Sequence, residues 1–449
     1  MFTNVYTTAP WTLPSHASLF TGMYPTRHGS HYSPVEDKNL SSAFSEKGYF
    51  DEDNPFGYYI LRLSEANKTL AEVLSENGYR TAGIVGGPFT GSVFGLAQGF
   101  DYYDEKFIDV EKDIKISLLY QAVDLFFSLR DFITQYGYSG AKRLAAHLNR
   151  ATFRWLEKNH DQPFFLFINY FDAHNPYLPP PSYRVYSGGK DGDSIIKNRH
   201  SQKDVSYCTA EANLISSVVN GTHRLTPEER DIVVSLYDGE VRYLDDSLYL
   251  LFERLKALKA YDNTLIIITS DHGEAFGDHD QMDHGRSLYE ELLRVPLIIK
   301  YPSAGLQQRG VIERRVSLVD IMPTILSYLE YQIPSGIDGK ILSAPDRPII
   351  AELHAKWFEI ERYRRDLRAV YQGKEKYIWA SNGLHELYDL AEDPGEEKNL
   401  MIEFPRRCEV MQGLLNAWIG SFKPPDTRGE TVKINKSTKE KLRALGYIR

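Results

Sequence analysis

The sequence has little cysteine, no long apolar run and no excess of positive charge. Only Cys208 and Cys408 occur in its 449 residues, too few for a disulfide framework or a Cys-x-x-Cys metal site. Lysine and arginine number 52 against 61 aspartates and glutamates, giving a net charge of −9, which argues against a nucleic-acid partner. No apolar run approaches the roughly 20 residues of a membrane helix, so we expect no membrane span.

The first residues also lack the features of a secretion signal. The segment MFTNVYTT has neither a basic start nor an apolar core, and a signal peptide needs both. The chain as given is therefore expected to be soluble and cytoplasmic, provided that Met1 is its true start. Nothing in the sequence predicts an oligomeric state.

What the sequence does contain is an alternation of helical and apolar segments. Apolar residues make up 42% and charged residues 25% of the chain, as in a well-packed globular protein. Nearly continuous apolar strands between helices predict an α/β fold whose sheet is covered on both faces. Helices are predicted at 63–76 and from Pro227 onward, and strands in TAGIVGG (81–87), PFFLFINYF (163–171), TLIIITS (264–270) and VPLIIKYP (295–302).

The sequence changes in character after about residue 336. Residues 368–390, RAVYQGKEKYIWASNGLHELYDL, alternate apolar and polar positions around turn residues, which predicts antiparallel strands. A helix is predicted at 401–419. We therefore divide the chain into a catalytic domain at 1–335 and a smaller α+β subdomain at 336–449. Within the first domain, a helical cap is predicted at about 111–147 and a polar loop insertion at about 182–225.

Acidic residues and histidines are concentrated after the predicted strand 264–270. Asp271 and His272 follow this strand directly, where ligands gather in an α/β sheet. The alternative is that Asp271 caps a helix and the histidines occupy a polar loop. The density of the cluster favours a divalent-cation site, because residues 271–284 carry Asp271, His272, Asp278, His279, Asp280, Asp283 and His284. The strand 163–171 likewise runs into Asp172 and His174, which predicts one shared cleft.

A second concentration of polar side chains lies near the start, in WTLPSHASLFTG. Pro14 suits the first turn of a helix, which predicts that Thr12 lies at or just before the N-cap. A hydroxyl there faces the free N–H groups of the helix start, so the position combines an anion site with a nucleophile. The alternative is that Thr12 only caps the helix, and the segment alone does not decide between the two.

Taken together, these segments resemble the sulfatase family of the alkaline-phosphatase-like superfamily over nearly the whole chain. The resemblance implies a central, mostly parallel sheet sandwiched by helices and a C-terminal α+β subdomain with an antiparallel sheet. It also implies metal-dependent hydrolysis of sulfate or phosphate esters of small molecules or glycans. The matching stretches are TLPSHASLFTGMYPTRHG, YDGEVRYLDDSL, DNTLIIITSDHGEAFGDH, SLYEELLRVPLII, SLVDIMPTIL and LYDLAEDPGEEKNL.

The resemblance also implies roles for individual residues. Thr12 takes the position of the nucleophile, with His16 beside it to bind substrate. Asp271 and His272 resemble two metal ligands, and this ligand set is compatible with Ca²⁺, Mg²⁺, Mn²⁺ or Zn²⁺. His174 resembles the histidine that acts on the leaving group or oxyanion, and His284 occupies a place often held by lysine. A covalent intermediate on Thr12 needs a base, and we expect His174 or His284, neutral near pH 7, to serve.

Four departures from the family pattern affect this interpretation. Thr12 cannot be converted to the formylglycine of sulfatases, His16 replaces the usual arginine, and GIVGGPFTGS lacks a Lys-x-His pair. The family's first strand, which ends in two metal-binding aspartates, precedes the nucleophile helix, and a chain that starts at Met1 leaves no room for it. We therefore expect an incomplete metal site, and a non-catalytic remnant or binding protein is the second hypothesis. The single hydroxyl of Thr12 favours phosphate, whereas the family resemblance favours sulfate.

Overall fold

A computed structural model gives the structure of the chain. It describes residues 1–33, 59–106, 143–184, 207–303, 310–354 and 360–421, with the single positions 432, 438 and 442. Most of the predicted cap at 111–147 lies outside the described residues, and so do residues 185–206 of the predicted loop.

The bounds of the strands and helices follow. The strands are β1 (Phe2–Tyr6), β2 (Tyr32–Ser33), β3 (Tyr59–Ile60), β4 (Arg80–Val85), β5 (Tyr102–Asp104), β6 (Phe164–Asn169), β7 (Ile266–Thr269), β8 (Ala275–Phe276), β9 (Met282–Asp283), β10 (Arg294–Lys300), β11 (Ile312–Ser317), β12 (Ile349–Leu353), β13 (Leu367–Gln372), β14 (Glu375–Ala380) and β15 (Glu386–Asp389). The helices are α1 (Thr12–Thr21), α2 (Pro25–His28), α3 (Leu70–Glu76), α4 (Ala145–Asn159), α5 (Tyr207–Val219), α6 (Pro227–Ala257), α7 (Glu290–Leu293), α8 (Ile321–Tyr328) and α9 (Pro405–Gly420). No described helix is both long enough and apolar enough to cross a membrane.

Two sheets form the core of the first domain. The first sheet has the strand order β5-β4-β6, and its strands are all parallel. The order β11-β1-β10-β7 is mixed, because β1 is parallel to β11 but β10 is antiparallel to both of its neighbours. The predicted α/β class is confirmed. The expectation of one mostly parallel sheet is too simple for the described residues, where only the smaller sheet is parallel throughout.

The four predicted core strands are confirmed as β4, β6, β7 and β10. Strand β1 (Phe2–Tyr6) was not predicted, although it lies between β10 and β11. Its polar residues Thr3 and Asn4 interrupt the apolar pattern that marks a buried strand. Only Val5 and Tyr6, with Phe2, are buried in it.

For the two predicted helices of the first domain, the predicted first residue is correct in one and wrong in the other. Helix α6 begins at Pro227 as predicted, after a capping box in which Thr226 and Glu229 satisfy each other's backbone N–H groups. Helix α3 begins only at Leu70, because Thr69 and Glu72 form the same arrangement there.

The predicted loop at 182–225 is corrected in its second half, where helix α5 (Tyr207–Val219) is found. Ala210, Leu214 and Val218 are buried at a spacing of four residues, which places them on one face of a helix. They pack against Ile232 and Leu236 of α6.

The C-terminal antiparallel sheet is confirmed, with the strand order β12-β13-β14-β15. Helix α9 covers it, and Met411 and Leu415 pack with Val370 and Tyr377 of the sheet. The backbone N–H of Glu352 in β12 donates to the carbonyl of Thr8 at 2.8 Å, so the sheet is joined to the segment that precedes α1.

Candidate active site

The candidate nucleophile lies at the start of helix α1. The helix begins at Thr12, and its N-cap is Trp11 with extended backbone and no side-chain capping hydrogen bond. Thr12 is therefore the first helical residue, one position after the N-cap. The predicted place at or just before the N-cap is wrong, and so is the alternative that Thr12 serves only as the N-cap. Its side chain is 5% exposed and lines a cavity of about 1350 Å³.

The carboxyl end of β7 meets the start of α1. Asp271 and His272 follow β7 as predicted, and the Ser15 hydroxyl donates to the backbone carbonyl of Asp271 at 2.6 Å. The Oδ2 atom of Asp271 lies 3.4 Å from Nδ1 of His16 and 3.6 Å from Nε2 of His272. The sequence-predicted residues His16, Asp271 and His272 are thus neighbours.

Three histidines of this cavity are oriented in the same way. Nδ1 of His16 contacts the carbonyl of Thr12 at 2.8 Å, Nδ1 of His272 contacts that of Gly273 at 2.7 Å, and Nδ1 of His174 contacts that of Asn175 at 2.7 Å. A carbonyl oxygen only accepts, so these contacts place a hydrogen on Nδ1 of each ring. Burial lowers the pKa of His174 and of His272, so these two rings present the lone pair of Nε2.

Asp271 and His272 fit two positions in the coordination sphere of a divalent cation. Burial would raise the pKa of Asp271, but the His272, His16 and His284 imidazoles outweigh it and lower that pKa. Burial lowers the pKa of His272 despite the nearby carboxylate. A carboxylate oxygen and an imidazole lone pair therefore face each other, which is a ligand pair for a metal ion. The fit is partial, because the described residues form no group of three ligands that includes this pair.

A second acidic cluster, formed by Glu274, Asp283 and His284, lies beside this pair. Nδ1 of His284 is 3.1 Å from Oε1 of Glu274 and 3.0 Å from Oδ1 of Asp283. Arg286 donates to the other oxygen of Asp283 at 2.8 Å, and the amide of Asn175 donates to Oδ1 at 3.0 Å. The carboxylates are already paired with cationic and amide groups, so we interpret this cluster as an ion-pair network that positions His284.

The protonation of His284 differs from the prediction. Burial lowers its pKa, but the charges of Glu274 and Asp283 outweigh burial and raise the pKa to about 10. The expectation that His284 is neutral near pH 7 is therefore wrong, and its ring is a proton donor. For His174, burial followed by the charge of His284 lowers the pKa to about 3, so that ring is neutral, as expected.

The histidines contact one another across the two strand ends. The rings of His174 and His284 are 5.0 Å apart, and those of His272 and His284 are 4.2 Å apart. Thr12, His16, His174, Asp271 and His272 line the same cavity. The loops that follow β6 and β7 therefore meet in one cleft.

The other members of the sequence cluster lie elsewhere. Asp278 pairs with Arg230 at 3.3 Å and Asp280 pairs with Arg224, both in exposed positions. His279 pairs with Glu291 at 3.0 Å. Sequence reasoning missed three residues of this network: Glu274, which pairs with His284, and Asn175 and Arg286, which donate to Asp283. Asn175 comes from the loop after β6, and no local spacing in the sequence connects it with Asp283.

Comparison with known proteins gives the family. The model of the family described as Sulfatase matches residues 1–331, and that described as N-sulphoglucosamine sulphohydrolase, C-terminal, matches residues 277–417. The arylsulfatase of Clostridium perfringens (strain 13 / Type A) is 24% identical over 442 residues, which cover 92% of this chain and 85% of that protein.

Solved structures show the same fold. The phosphonate monoester hydrolase of Agrobacterium radiobacter has a TM-score of 0.66 at 18% identity, covering 93% of this chain and 88% of that one. A protein solved with its substrate D-glucosamine-2-N,6-O-disulfate has a TM-score of 0.63 at 17% identity, covering 95% of this chain and 92% of that one. Since the family model spans well over half of the sequence, the chain belongs to the sulfatase family, within the alkaline phosphatase superfamily.

Proposed function

We propose that this chain hydrolyses sulfate or phosphate esters, with the hydroxyl of Thr12 as the nucleophile. The observation that carries the proposal is the meeting of Thr12, His174, Asp271 and His272 in one cavity. A hydroxyl nucleophile needs a partner that lowers its pKa and a donor for the leaving group. Both kinds of group border this cavity, and membership of a family of ester hydrolases supports the same reaction.

The reaction has two steps in this proposal. The oxygen of Thr12 gives its proton to an imidazole beside the cavity and forms a bond to phosphorus or sulfur, while the bond to the leaving alkoxide or phenoxide breaks and this imidazole passes the proton to the leaving oxygen. Water then attacks the phosphorus or sulfur of the covalent ester, and the Nε2 lone pair of His174 accepts a proton of this water. His174 returns that proton to the oxygen of Thr12 as its bond to phosphorus or sulfur breaks, which regenerates the hydroxyl.

A divalent cation held by Asp271 and His272 would lower the pKa of the Thr12 hydroxyl and neutralise the transferred anion. The residues fit Ca²⁺, Mg²⁺, Mn²⁺ or Zn²⁺ without distinguishing among them. His16 has its Nδ1 directed at Thr12 and Asp271, so only Nε2 remains for the substrate, and it donates to a substrate oxygen only when the ring carries a hydrogen on both nitrogens.

We further propose a preference for phosphate over sulfate esters. A formylglycine hydrate releases its sulfate by elimination. Thr12 carries a single hydroxyl on Cβ, so its sulfate or phosphate ester must be hydrolysed by water that attacks sulfur or phosphorus. Phosphorus is the more familiar centre for such double displacement. The relatives support both ester classes, since one is named an arylsulfatase and another a phosphonate monoester hydrolase. A glycan ester is a candidate substrate, as in the relative solved with a disulfated glucosamine.

The second candidate is a binding protein without turnover. It is favoured by the metal site, for which the described residues supply only Asp271 and His272. The two candidates differ in what they release from an aryl ester. A hydrolase liberates the phenol continuously, whereas a binding protein liberates none.

The test is the release of nitrophenolate from nitrophenyl phosphate and nitrophenyl sulfate, with Ca²⁺, Mg²⁺, Mn²⁺ or Zn²⁺ added in turn. We expect continuous release with at least one ion and loss of release on chelation. If the folded chain binds nitrophenyl phosphate but releases no nitrophenolate with any of the four ions, the hydrolase proposal is wrong and the chain is a binding protein.

A further inference from the structure

The short helix α7 joins the two segments that carry the candidate active site. The backbone N–H of Gly273, the residue after His272, donates to the carbonyl of Leu292 at 2.9 Å. The backbone N–H of Thr7, in the segment before α1, donates to the carbonyl of Leu293 at 2.9 Å. The last two residues of α7 therefore hold the end of β7 and the approach to α1 together.

Helix α7 and the strand end are in direct backbone contact. A Cβ atom at Gly273 would collide with the carbonyl oxygen of Glu291, so a larger residue there would displace α7. The Thr7 hydroxyl lies 2.8 Å from that of Ser15, which in turn donates to the carbonyl of Asp271. A displacement of α7 is thus transmitted to the strand end by two routes.

The C-terminal subdomain holds the first residue of α7 through Glu396. One carboxylate oxygen of Glu396 accepts from the backbone N–H of Glu290 at 2.6 Å. The other carboxylate oxygen lies 2.6 Å from Nζ of Lys376, which also contacts the Glu290 carboxylate at 3.2 Å. The side chains of Lys376 and Glu396 are fully buried, so water does not replace these contacts when one of them is removed.

Glu396 contacts the active-site loop a second time, through its backbone. Its carbonyl lies 3.2 Å from Nε2 of His279. His279 and Glu290 lie on either side of residues 280–289, which include His284. Glu396 therefore contacts both ends of the loop that carries this imidazole.

The backbone conformation of Glu396 agrees with such a role. Its φ is 53°, a left-handed value that residues other than glycine seldom adopt. Such conformations persist where the surrounding contacts determine them, and they cluster at functional sites. Here the carboxylate of Asp393 fixes the turn by accepting from the backbone N–H groups of Glu397 and Lys398, at 3.1 and 2.9 Å.

We propose that Glu396 is a positioning residue of the active site, through which the C-terminal subdomain holds Asp271, His272 and His284 in place. The inference rests on the hydrolysis proposed above. Glu396 acts on the end of β7 through α7 and Gly273, and on His284 through the two ends of its loop. Removal of such a support costs rate, because a displacement of about 1 Å at reacting groups can lower the rate a hundredfold.

The test compares Glu396→Leu with Glu396→Gln, two side chains of similar volume that differ in hydrogen bonding. The amide oxygen of glutamine accepts from the backbone N–H of Glu290, whereas leucine leaves that donor buried without an acceptor. Lys376 keeps the Glu290 carboxylate as a partner in both variants. We expect kcat for nitrophenyl phosphate to fall at least about tenfold in Glu396→Leu and to stay within about threefold of wild type in Glu396→Gln.

Hydrogen–deuterium exchange gives a readout that needs no turnover. The amide hydrogen of Gly273 is bound to Leu292 and not to Glu396, so its exchange reports on the strand end. We expect Glu396→Leu to speed this exchange at least about tenfold and to leave strand β4 unchanged. If the wild-type chain releases no nitrophenolate, the proposed function fails, and the exchange of Gly273 alone decides whether Glu396 holds the strand end.

Two control variants separate positioning from a loss of stability. Glu397→Leu makes the same substitution at the neighbouring exposed residue. Met411→Ala removes a buried side chain that packs elsewhere in the same subdomain, and it should lower the thermal midpoint. Both controls should keep the wild-type kcat at a temperature at which every variant is folded.

Four results would overturn the inference. Wild-type kcat in Glu396→Leu would show that the contact does not serve catalysis, and unchanged exchange of Gly273 would show that it does not reach the strand end. An equal loss of kcat in Glu396→Gln would show that the hydrogen bond to α7 is not the cause. A comparable loss in Met411→Ala would show that destabilisation of the subdomain is sufficient.

Discussion

The Oδ2 atom of Asp271 and the Nε2 atom of His272 lie 3.6 Å apart, with the hydrogen of the neutral imidazole assigned to Nδ1, which contacts the carbonyl of Gly273. Two lone-pair atoms at this distance repel each other unless a proton or a cation lies between them. The ends of β7 and α1 hold both groups in place, since Ser15 donates to the backbone of Asp271. This pair is therefore the part of the candidate site best placed to bind a cation.

Metal binding is expected to be weak and to depend on Asp271. Ca²⁺ prefers six to eight oxygen ligands, and Asp271 and His272 are only two groups. We expect dissociation constants of about 10⁻³ M or weaker by calorimetric titration with each of the four ions, and complete loss in Asp271→Asn. Asp278→Asn, at an exposed ion pair with Arg230, is the control and should bind as the wild type does. Tight, stoichiometric binding would show that the two residues suffice or that others complete the site.

Substitution of Thr12 is expected to abolish turnover without unfolding the protein. Thr12→Ala removes the hydroxyl that we propose forms the covalent ester, so kcat should fall by at least about a thousandfold. Thr12→Ser keeps a hydroxyl and should retain measurable activity. The thermal midpoint and near-ultraviolet circular dichroism of both variants report the fold. Near-normal hydrolysis of nitrophenyl phosphate and nitrophenyl sulfate by Thr12→Ala would show that Thr12 is not the nucleophile.

The ester preference is expected to follow the chemistry of Thr12. We compare kcat/KM for nitrophenyl phosphate and nitrophenyl sulfate, which share one leaving group and differ only in the group transferred. The phosphate ester should have the higher value, and mass spectrometry of the quenched enzyme should find the added phosphate on Thr12. A higher kcat/KM for the sulfate ester would show that the enzyme prefers sulfate esters and would contradict the proposed preference.

Stability is expected to fall at alkaline pH because of His279. Burial lowers the pKa of this imidazole, but the hydrogen bond and charge of Glu291 outweigh burial and raise the pKa to about 9. Its ring also stacks on Tyr289 at 3.7 Å, and Nε2 lies 3.2 Å from the carbonyl of Glu396.

A folded-state pKa above the unfolded value of about 6.5 stabilises the protein fully below pH 6.5, and this contribution is lost as pH rises through 9. We expect a loss of about 2 kcal/mol of unfolding free energy over this range, after allowance for partial exposure to solvent. Urea denaturation at a series of pH values measures it. In His279→Gln the decrease should be smaller by that amount, and an identical pH profile would show that His279 is not its source.

Removal of one partner of the buried ion pair between Asp104 and Arg143 is expected to destabilise the protein strongly. Arg143 donates to both carboxylate oxygens, at 3.1 and 3.2 Å, with both side chains less than 10% exposed. Asp104→Ala leaves a buried guanidinium without its carboxylate, so we expect a loss of about 3–5 kcal/mol in urea denaturation. Glu76→Ala, which breaks the exposed pair with Lys68, should cost less than about 1 kcal/mol. Similar losses in the two variants would contradict this difference.

The sequence by itself determined the class of fold and the position of the candidate site along the chain. Strands β6 and β7 are continuous apolar runs, so the pattern of nearby residues was sufficient. Asp271 and His272 were assigned to the end of a strand for the same reason. Such signals act over a few residues, where backbone geometry depends mainly on local side chains.

Only the tertiary structure decided which members of the polar clusters act together. His279 and His284 lie five positions apart in the sequence, yet one is paired with Glu291 and the other with Glu274 and Asp283. The protonation of His284 depends on those two carboxylates and on burial. Burial and the approach of Glu274 are set by the fold and cannot be read from the local sequence. Strand β1 is likewise recognisable only by its place between β10 and β11. Charge and hydrogen bonding act through space, so groups distant along the chain fix these properties once the fold has brought them together.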